Sequence, residues 1–213
     1  MKKLIIFPAI ILLLSSCQSF NEIAIVPTTP ENDFEDTYTI IWNGKSEAYR
    51  YIDGEYKRDE TYDYVFNVIQ KRYDKQWKST KTLHRNHPDY DFNAGERSQS
   101  MYFELNYTAA VSGLTTILNT SLGNGTGVSD REFREQILEI QLLPSISYYN
   151  ISKYAPYNRI KITQHYQYET GVLLETVELY QDDDGKITPF MKNEERATFY
   201  VKGTFNGPPT SFQ

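Results

Sequence analysis

The sequence predicts an all-β domain, an antiparallel β-sandwich or open barrel of roughly ten strands with one short helix. Three features support this. Aromatic residues make up 15% of the chain, led by 18 tyrosines and 11 phenylalanines, and such rings suit half-buried strands. Short aromatic and β-branched runs alternate with polar neighbours at the two-residue period of a strand. Turn dipeptides of the Asn-Gly and Asp-Gly kind separate these runs.

Taken in order, Tyr38 to Trp42 leads into Asn43-Gly44, and Glu47 to Ile52 leads into Asp53-Gly54, so both dipeptides are expected as tight hairpin turns. Tyr62, Tyr64, Phe66 and Val68 then alternate with more polar residues, and Asp74-Lys75 turns the chain back through Gln76 to Leu83. A loop-like stretch with Pro88, Asn93 and Gly95 follows, then strand-like runs from Met101 to Tyr107 and Leu114 to Leu118. Late in the chain Arg159 to Tyr168, Val172 to Tyr180 and Ala197 to Phe205 are further strands, with Asp184-Gly185 as a hairpin turn.

One segment breaks the rhythm. Ser129 and Glu132 have capping-box spacing, and Phe133, Ile137 and Ile140 fall on one helical face before Pro144. A helix is expected for its first half. Over the second half a strand competes, because Leu138, Ile140 and Leu142 also alternate. Just before it, Gly123, Gly125 and Gly127 superficially resemble a phosphate-cradling loop. The glycine spacing of a dinucleotide site and the Lys-Ser/Thr of a P-loop are both missing, so a flexible connection is expected there.

The N-terminus carries an address. Lys2-Lys3, the apolar run Leu4 to Leu14 and the small residues before Cys17 follow the order of a secretion signal, in an apolar stretch too short to span a bilayer comfortably. The tetrad Leu14-Ser15-Ser16-Cys17 resembles the lipobox of bacterial lipoproteins. That resemblance implies cleavage after Ser16 and lipidation of Cys17 and, with Gln18 rather than aspartate next, an outer-membrane destination. Cys17 is the only cysteine, as suits a secreted chain that builds no disulfides. The expected organisation is a signal at residues 1–16, a lipidated tether at 17–35 and one β-rich domain at 36–213. Pro27, Pro30 and their small polar neighbours would keep the tether extended, reaching on the order of 60 Å, with the apolar island Ile23 to Val26 able to dock as an edge strand.

The whole chain carries a net charge of −6. Losing Lys2 and Lys3 with the signal leaves 20 basic against 28 acidic side chains, about −8. That sign disfavours nucleic-acid partners.

Several constellations are candidates for chemistry. His84, His87, Asp89 and Asp91 are metal-compatible, and His165 could approach them, but the spacing matches no closed site, so no metal or other cofactor is expected. Asp182-Asp183-Asp184-Gly185 fails the calcium-loop alignment and reads as a hairpin. Lys71, Arg72, Lys75, Lys78, Lys81 and Arg85 form a basic hairpin in an acidic protein, with Tyr73 and Trp77 as stacking surface for anionic lipid or glycan; a solvated strand face is the plainer reading. Tyr166 and Tyr168 should stand side by side on one strand face, as a binding platform or as core.

The candidate binding residues are therefore Tyr73, Trp77, Lys78, Tyr166 and Tyr168. No nucleophile elbow or zinc-protease helix motif is present. The expected role is binding or envelope organisation, with a protein or glycan partner and the membrane held through the lipid. A small hydrolase built on paired carboxylates and a lipid-carrying barrel with an interior cavity are the alternatives.

Overall fold

The computed structural model describes residues 38–73, 75–85, 98–143 and 157–202. The expected signal and tether, Cys17, His87, Asp89 and Asp91 lie outside them.

Eleven strands follow one another: β1 (Tyr38–Ile52), β2 (Glu55–Arg58), β3 (Tyr64–Arg72), β4 (Gln76–His84), β5 (Ser98–Ala110), β6 (Gly113–Thr120), β7 (Gly123–Ser129), β8 (Glu135–Leu142), β9 (Arg159–Gln167), β10 (Val172–Asp183) and β11 (Lys186–Lys202). From β3 to β11 each strand pairs antiparallel with the next, and β1 pairs with both β3 and β11. The register between β1 and β11 runs from Thr39↔Lys202 to Arg50↔Met191 and closes a ten-stranded barrel. The sheet expected from the aromatic and alternating runs is thus a barrel, closed rather than open.

Alternation decides what fills it. On β3 the inward positions are Tyr64, Phe66, Val68, Gln70 and Arg72, all buried, while Val65, Ile69 and Lys71 face out. The outer wall carries charged pairs such as Lys78–Glu104 at 3.8 Å and Lys161–Glu178 at 3.5 Å. A barrel facing lipid needs the reverse, an apolar outer band.

Two hairpins extend one end of the barrel. β2 pairs with β1 alone, from Tyr49↔Arg58 to Ile52↔Glu55. β10 and β11 continue together past β9, whose register stops at Tyr180↔Arg159, to Asp183↔Lys186. Both tips turn through the expected Asp-Gly pairs, with φ of 54° and 88° at Asp53-Gly54 and 51° and 90° at Asp184-Gly185. Positive φ at both central residues is the primed turn that matches strand twist.

Three expectations are corrected. Asn43-Gly44 is no turn but the middle of β1. A Cβ on Gly44 would lie 2.5 Å from the Phe66 ring and 2.7 Å from Ala197 Cβ, so glycine there permits close packing rather than a bend. The segment from Ser129 to Ile140 is not helical: β7 ends at Ser129, a turn follows, and β8 points Gln136, Leu138, Ile140 and Leu142 inward. Burial of alternate residues in the barrel outweighs the local capping pattern. Among the described residues the one helical element is a single 3-10 turn at Glu60–Tyr62. Gly123, Gly125 and Gly127 are a wall strand, β7, rather than a flexible connection. A Cβ on Gly125 would lie 2.1 Å from the Glu139 carbonyl oxygen of β8, so no larger residue fits where these backbones close together.

Candidate functional site

Two of the buried cations, Arg72 and Lys81, sit in different settings within the barrel. Arg72, the last residue of β3, is fully buried. Its guanidinium carbon lies 3.6 Å from the centre of the Trp77 ring, within cation–π range, and 5.0 Å from that of Tyr166. Arg72 Nε donates to Gln70 Oε1 at 2.7 Å, and Nη1 donates to the Tyr168 hydroxyl at 2.8 Å. Tyr166 and Tyr168 stack at 5.7 Å, side by side as their spacing predicts.

Phe133 completes this region from the turn between β7 and β8. Its ring packs on Trp77 at 4.6 Å and on Tyr107 at 4.9 Å. Its φ is 54°, a left-handed conformation costing a bulky residue about 1–3 kcal/mol. The turn is held by Arg134 N–H donating to Asp130 Oδ1 at 2.7 Å and by the Tyr168 hydroxyl donating to Phe133 O at 2.9 Å. Burial pushes the Tyr107 and Tyr166 hydroxyls up in pKa, so both remain donors.

The second cation is Lys81 of β4. Its Nζ donates to Glu175 Oε1 at 2.5 Å and to Glu195 Oε1 and Oε2 at 2.8 and 2.7 Å. All three residues are buried. Glu195 also accepts from the Tyr64 hydroxyl, and Glu175 Oε2 accepts from Gln164 Nε2 at 2.5 Å. The Phe66 ring centre stands 4.7 Å from Lys81 Nζ. Strands β3, β4, β9, β10 and β11 thus meet in one charged knot within the lumen.

The two carboxyls are driven apart. Burial pushes Glu195 up to about 8, helped by the nearby charge of Glu175 and opposed by Lys81. Burial also acts to raise Glu175, but the charge of Lys81 and hydrogen bonds from Lys81 and Gln164 outweigh it and hold Glu175 below the usual carboxylate range. The knot thus favours the protonated form at Glu195 and the ionised form at Glu175. A pair with separated affinities is the arrangement used for acid–base work.

Beside the knot lies a cavity of about 40 Å³, lined among others by Trp42, Gln70, Ser79, Phe103, Lys81 and Glu175. At roughly 10–15 Å³ per water, that is room for about three or four waters. Pockets for organic ligands run to several hundred Å³, so neither a sugar ring nor an acyl chain fits there.

The residues singled out from the sequence are dispersed. Trp77 and Tyr166 are lumen-facing and Tyr73 is buried, so none of them offers an open stacking surface; Tyr168 is half-buried. Lys78 lies on the outer wall beside Glu104. The basic hairpin is not one charged face, because Arg72, Lys81 and Arg85 are buried. His84 is exposed and hydrogen-bonds the Ser98 hydroxyl at 2.8 Å. His165 pairs with Glu135 on the outer wall. Among the described residues no cluster of three metal-binding side chains occurs.

Sequence reasoning missed Glu175 and Glu195 and placed Lys81 on the basic hairpin, although a signal was there. Lys81 keeps phase with Trp77, Ser79 and Leu83, Glu175 with Leu173, Val177 and Leu179, and Glu195 with Met191 and Ala197. A charge at the inward phase of an alternating strand marks a buried ion.

The hairpin extension forms a second candidate region. Tyr51 and Tyr56 face each other across β1 and β2, with ring centres 5.2 Å apart. Lys192 Nζ lies 5.0 Å from the Tyr49 ring centre and 5.2 Å from that of Tyr56, and Arg58 covers Tyr49 at 5.6 Å. Tyr51, Ile52 and Ile187 are exposed.

No protein-family model matches the chain, and no curated protein or solved structure shows significant similarity to it.

Proposed function

We propose that this is a lipidated cell-envelope protein that binds a protein partner through the hairpin extension, with the barrel as a filled, rigid scaffold. The observation that carries the reading is the open edge of β2. Among the described strands it alone has a single neighbour, and Tyr51 and Ile52 are exposed beside it. An unpaired strand edge with apolar neighbours suits an extended protein segment, which supplies main-chain hydrogen bonds and side chains together. The charges of Glu55, Lys57 and Arg58 on that edge oppose indiscriminate pairing. A glycan fits less well, because Arg58 and Lys192 of the chain itself lie over Tyr49 and Tyr56. The cavity beside the lysine knot is too small to favour a lipid carrier or a hydrolase working there.

Membrane attachment rests on the Leu14 to Cys17 tetrad. Two or more acyl chains hold a protein stably, whereas one is marginal. Labelling of cells with a tagged fatty acid should mark the chain and not its Cys17→Ala variant, and a wild-type chain that takes up no label would overturn the tether.

Partner binding is tested with a photo-crosslinking residue at Tyr51 and, on the barrel wall, at Ile117, both in the full chain made in its own cells. The expected result is a discrete protein adduct from position 51 and none from 117. Equal adducts from both positions, or none from 51, would overturn the reading.

A further inference from the structure

Lys81, Glu175 and Glu195 bring an amine and two carboxyl groups together inside a β-barrel. We propose that this knot is a self-modification site, where Lys81 Nζ condenses with Glu195 Cδ to form an intramolecular isopeptide bond between β4 and β11.

The geometry supplies each part. Lys81 Nζ touches both Glu195 oxygens at 2.8 and 2.7 Å, which sets it close to the carbonyl carbon between them. Holding two reactants in such a pose replaces an encounter in solution with an intramolecular step, an advantage that reaches effective molarities of about 10⁵ M and above. The Tyr64 hydroxyl already donates to Glu195 Oε1, where negative charge develops as the carbon becomes tetrahedral. Glu175, 2.5 Å from the same nitrogen, is the proton carrier, and Gln164 positions it.

The protons and bonds balance. Glu175 takes one proton from the Lys81 ammonium, and the free amine attacks Cδ of protonated Glu195. Glu175 passes its proton to the departing hydroxyl and takes another from the nitrogen. One N–C bond forms, one C–O bond breaks and one water leaves, with the neighbouring cavity able to receive it. The products are a neutral amide and a protonated Glu175. Two buried ions disappear, which removes a desolvation cost that their attraction repays only in part. No oxidant or cofactor is needed.

Two further observations agree with such a bond. The separated ionisation of the carboxyls matches an electrophile at Glu195 and a base at Glu175. The chain has a single cysteine, so no intramolecular disulfide can brace the barrel. The amide would tie together two strands that are not neighbours in the sheet, through residues 114 positions apart.

The test is mass spectrometry of the full chain purified from cells, denatured and digested with trypsin. A bond is expected to join residues 79–85 to residues 193–196 in one branched peptide, lighter than its two parts by one water, with no cleavage after Lys81. Recovery of residues 79–81, 82–85 and 193–196 as separate peptides in full amount would overturn the proposal. A branch to Glu175 would overturn the choice of electrophile. Glu175→Gln keeps both joined residues, and it should lower the rate of linkage at least about tenfold in a time course after synthesis; an unchanged rate would overturn the proton-carrier role.

Discussion

Arg72 and Lys81 are both buried cations inside one barrel, yet the chain accommodates them by different means. The planar guanidinium of Arg72 lies over Trp77, with Gln70 and Tyr168 accepting from its edge. The compact ammonium of Lys81 instead sits between two carboxyls. The difference follows from the ions themselves. A guanidinium is weakly hydrated and stacks on rings, whereas an ammonium is strongly hydrated and needs close oxygens in place of water. The first arrangement is a packing device, and the second retains labile protons and a nucleophile.

Three variants test that contrast, and a fourth tests the hairpin extension. The greatest loss is expected from Trp77→Ala, which empties a crowded part of the lumen and removes the ring under Arg72. A loss of about 3–5 kcal/mol in urea unfolding is expected, with little dependence on pH between about 5 and 8 because no carboxyl in the Lys81 knot is disturbed. A loss below about 1 kcal/mol would show that the ring stack is not a principal support.

Lys81→Met comes next. It leaves Glu175 and Glu195 buried without the ammonium, a defect of about 3 kcal/mol or more at neutral pH. That cost should shrink toward about pH 4, where the carboxyls take up protons, and an undiminished cost there would point to lost packing rather than charge.

Lys81→Arg keeps a cation but blocks the amide, so Glu195 remains titratable. The folded protein raises Glu195 from 4.5 to about 8. Its contribution is therefore fully present below about pH 4.5 and is lost as pH rises toward 8. Glu175, held low, contributes in the opposite sense and loses its share only as pH falls through its depressed range. The urea midpoint of this variant should decline between about pH 5 and 8, and a flat midpoint would show that burial does not raise Glu195.

The slightest stability change belongs to the hairpin extension. Tyr51→Ala removes a ring at the solvent-exposed edge, so stability should stay within about 0.5 kcal/mol while a partner adduct from a crosslinker at the neighbouring position 52 disappears. A large stability loss would make Tyr51 a structural residue instead.

The Asp53-Gly54 and Asp184-Gly185 turns and the inward face of β3 were legible because each depends on residues close in sequence. Asn43-Gly44 misled for the same reason: the dipeptide favours a turn locally, but the Phe66 ring and Ala197 come from distant strands and require the glycine where β1 runs straight through. Ser129 to Ile140 carried both periods at once, and only the neighbouring strands β7 and β9 selected the two-residue one. The binding residues expected on the basic hairpin were misplaced because a run of like charges says nothing about phase. At alternate positions, Lys81 belongs with Trp77 and Leu83 rather than with Lys78.

Strand period, turn chemistry and signal grammar are local properties, so the order of residues was enough for the β class, the hairpin tips and the expectation of a lipid anchor. Closure of the sheet, the inward facing of Tyr166 and Trp77, and the meeting of Lys81 with Glu175 and Glu195 were settled by the folded barrel. Those outcomes depend on register between strands far apart in the chain, and register is set by how all ten inward faces fill one lumen together.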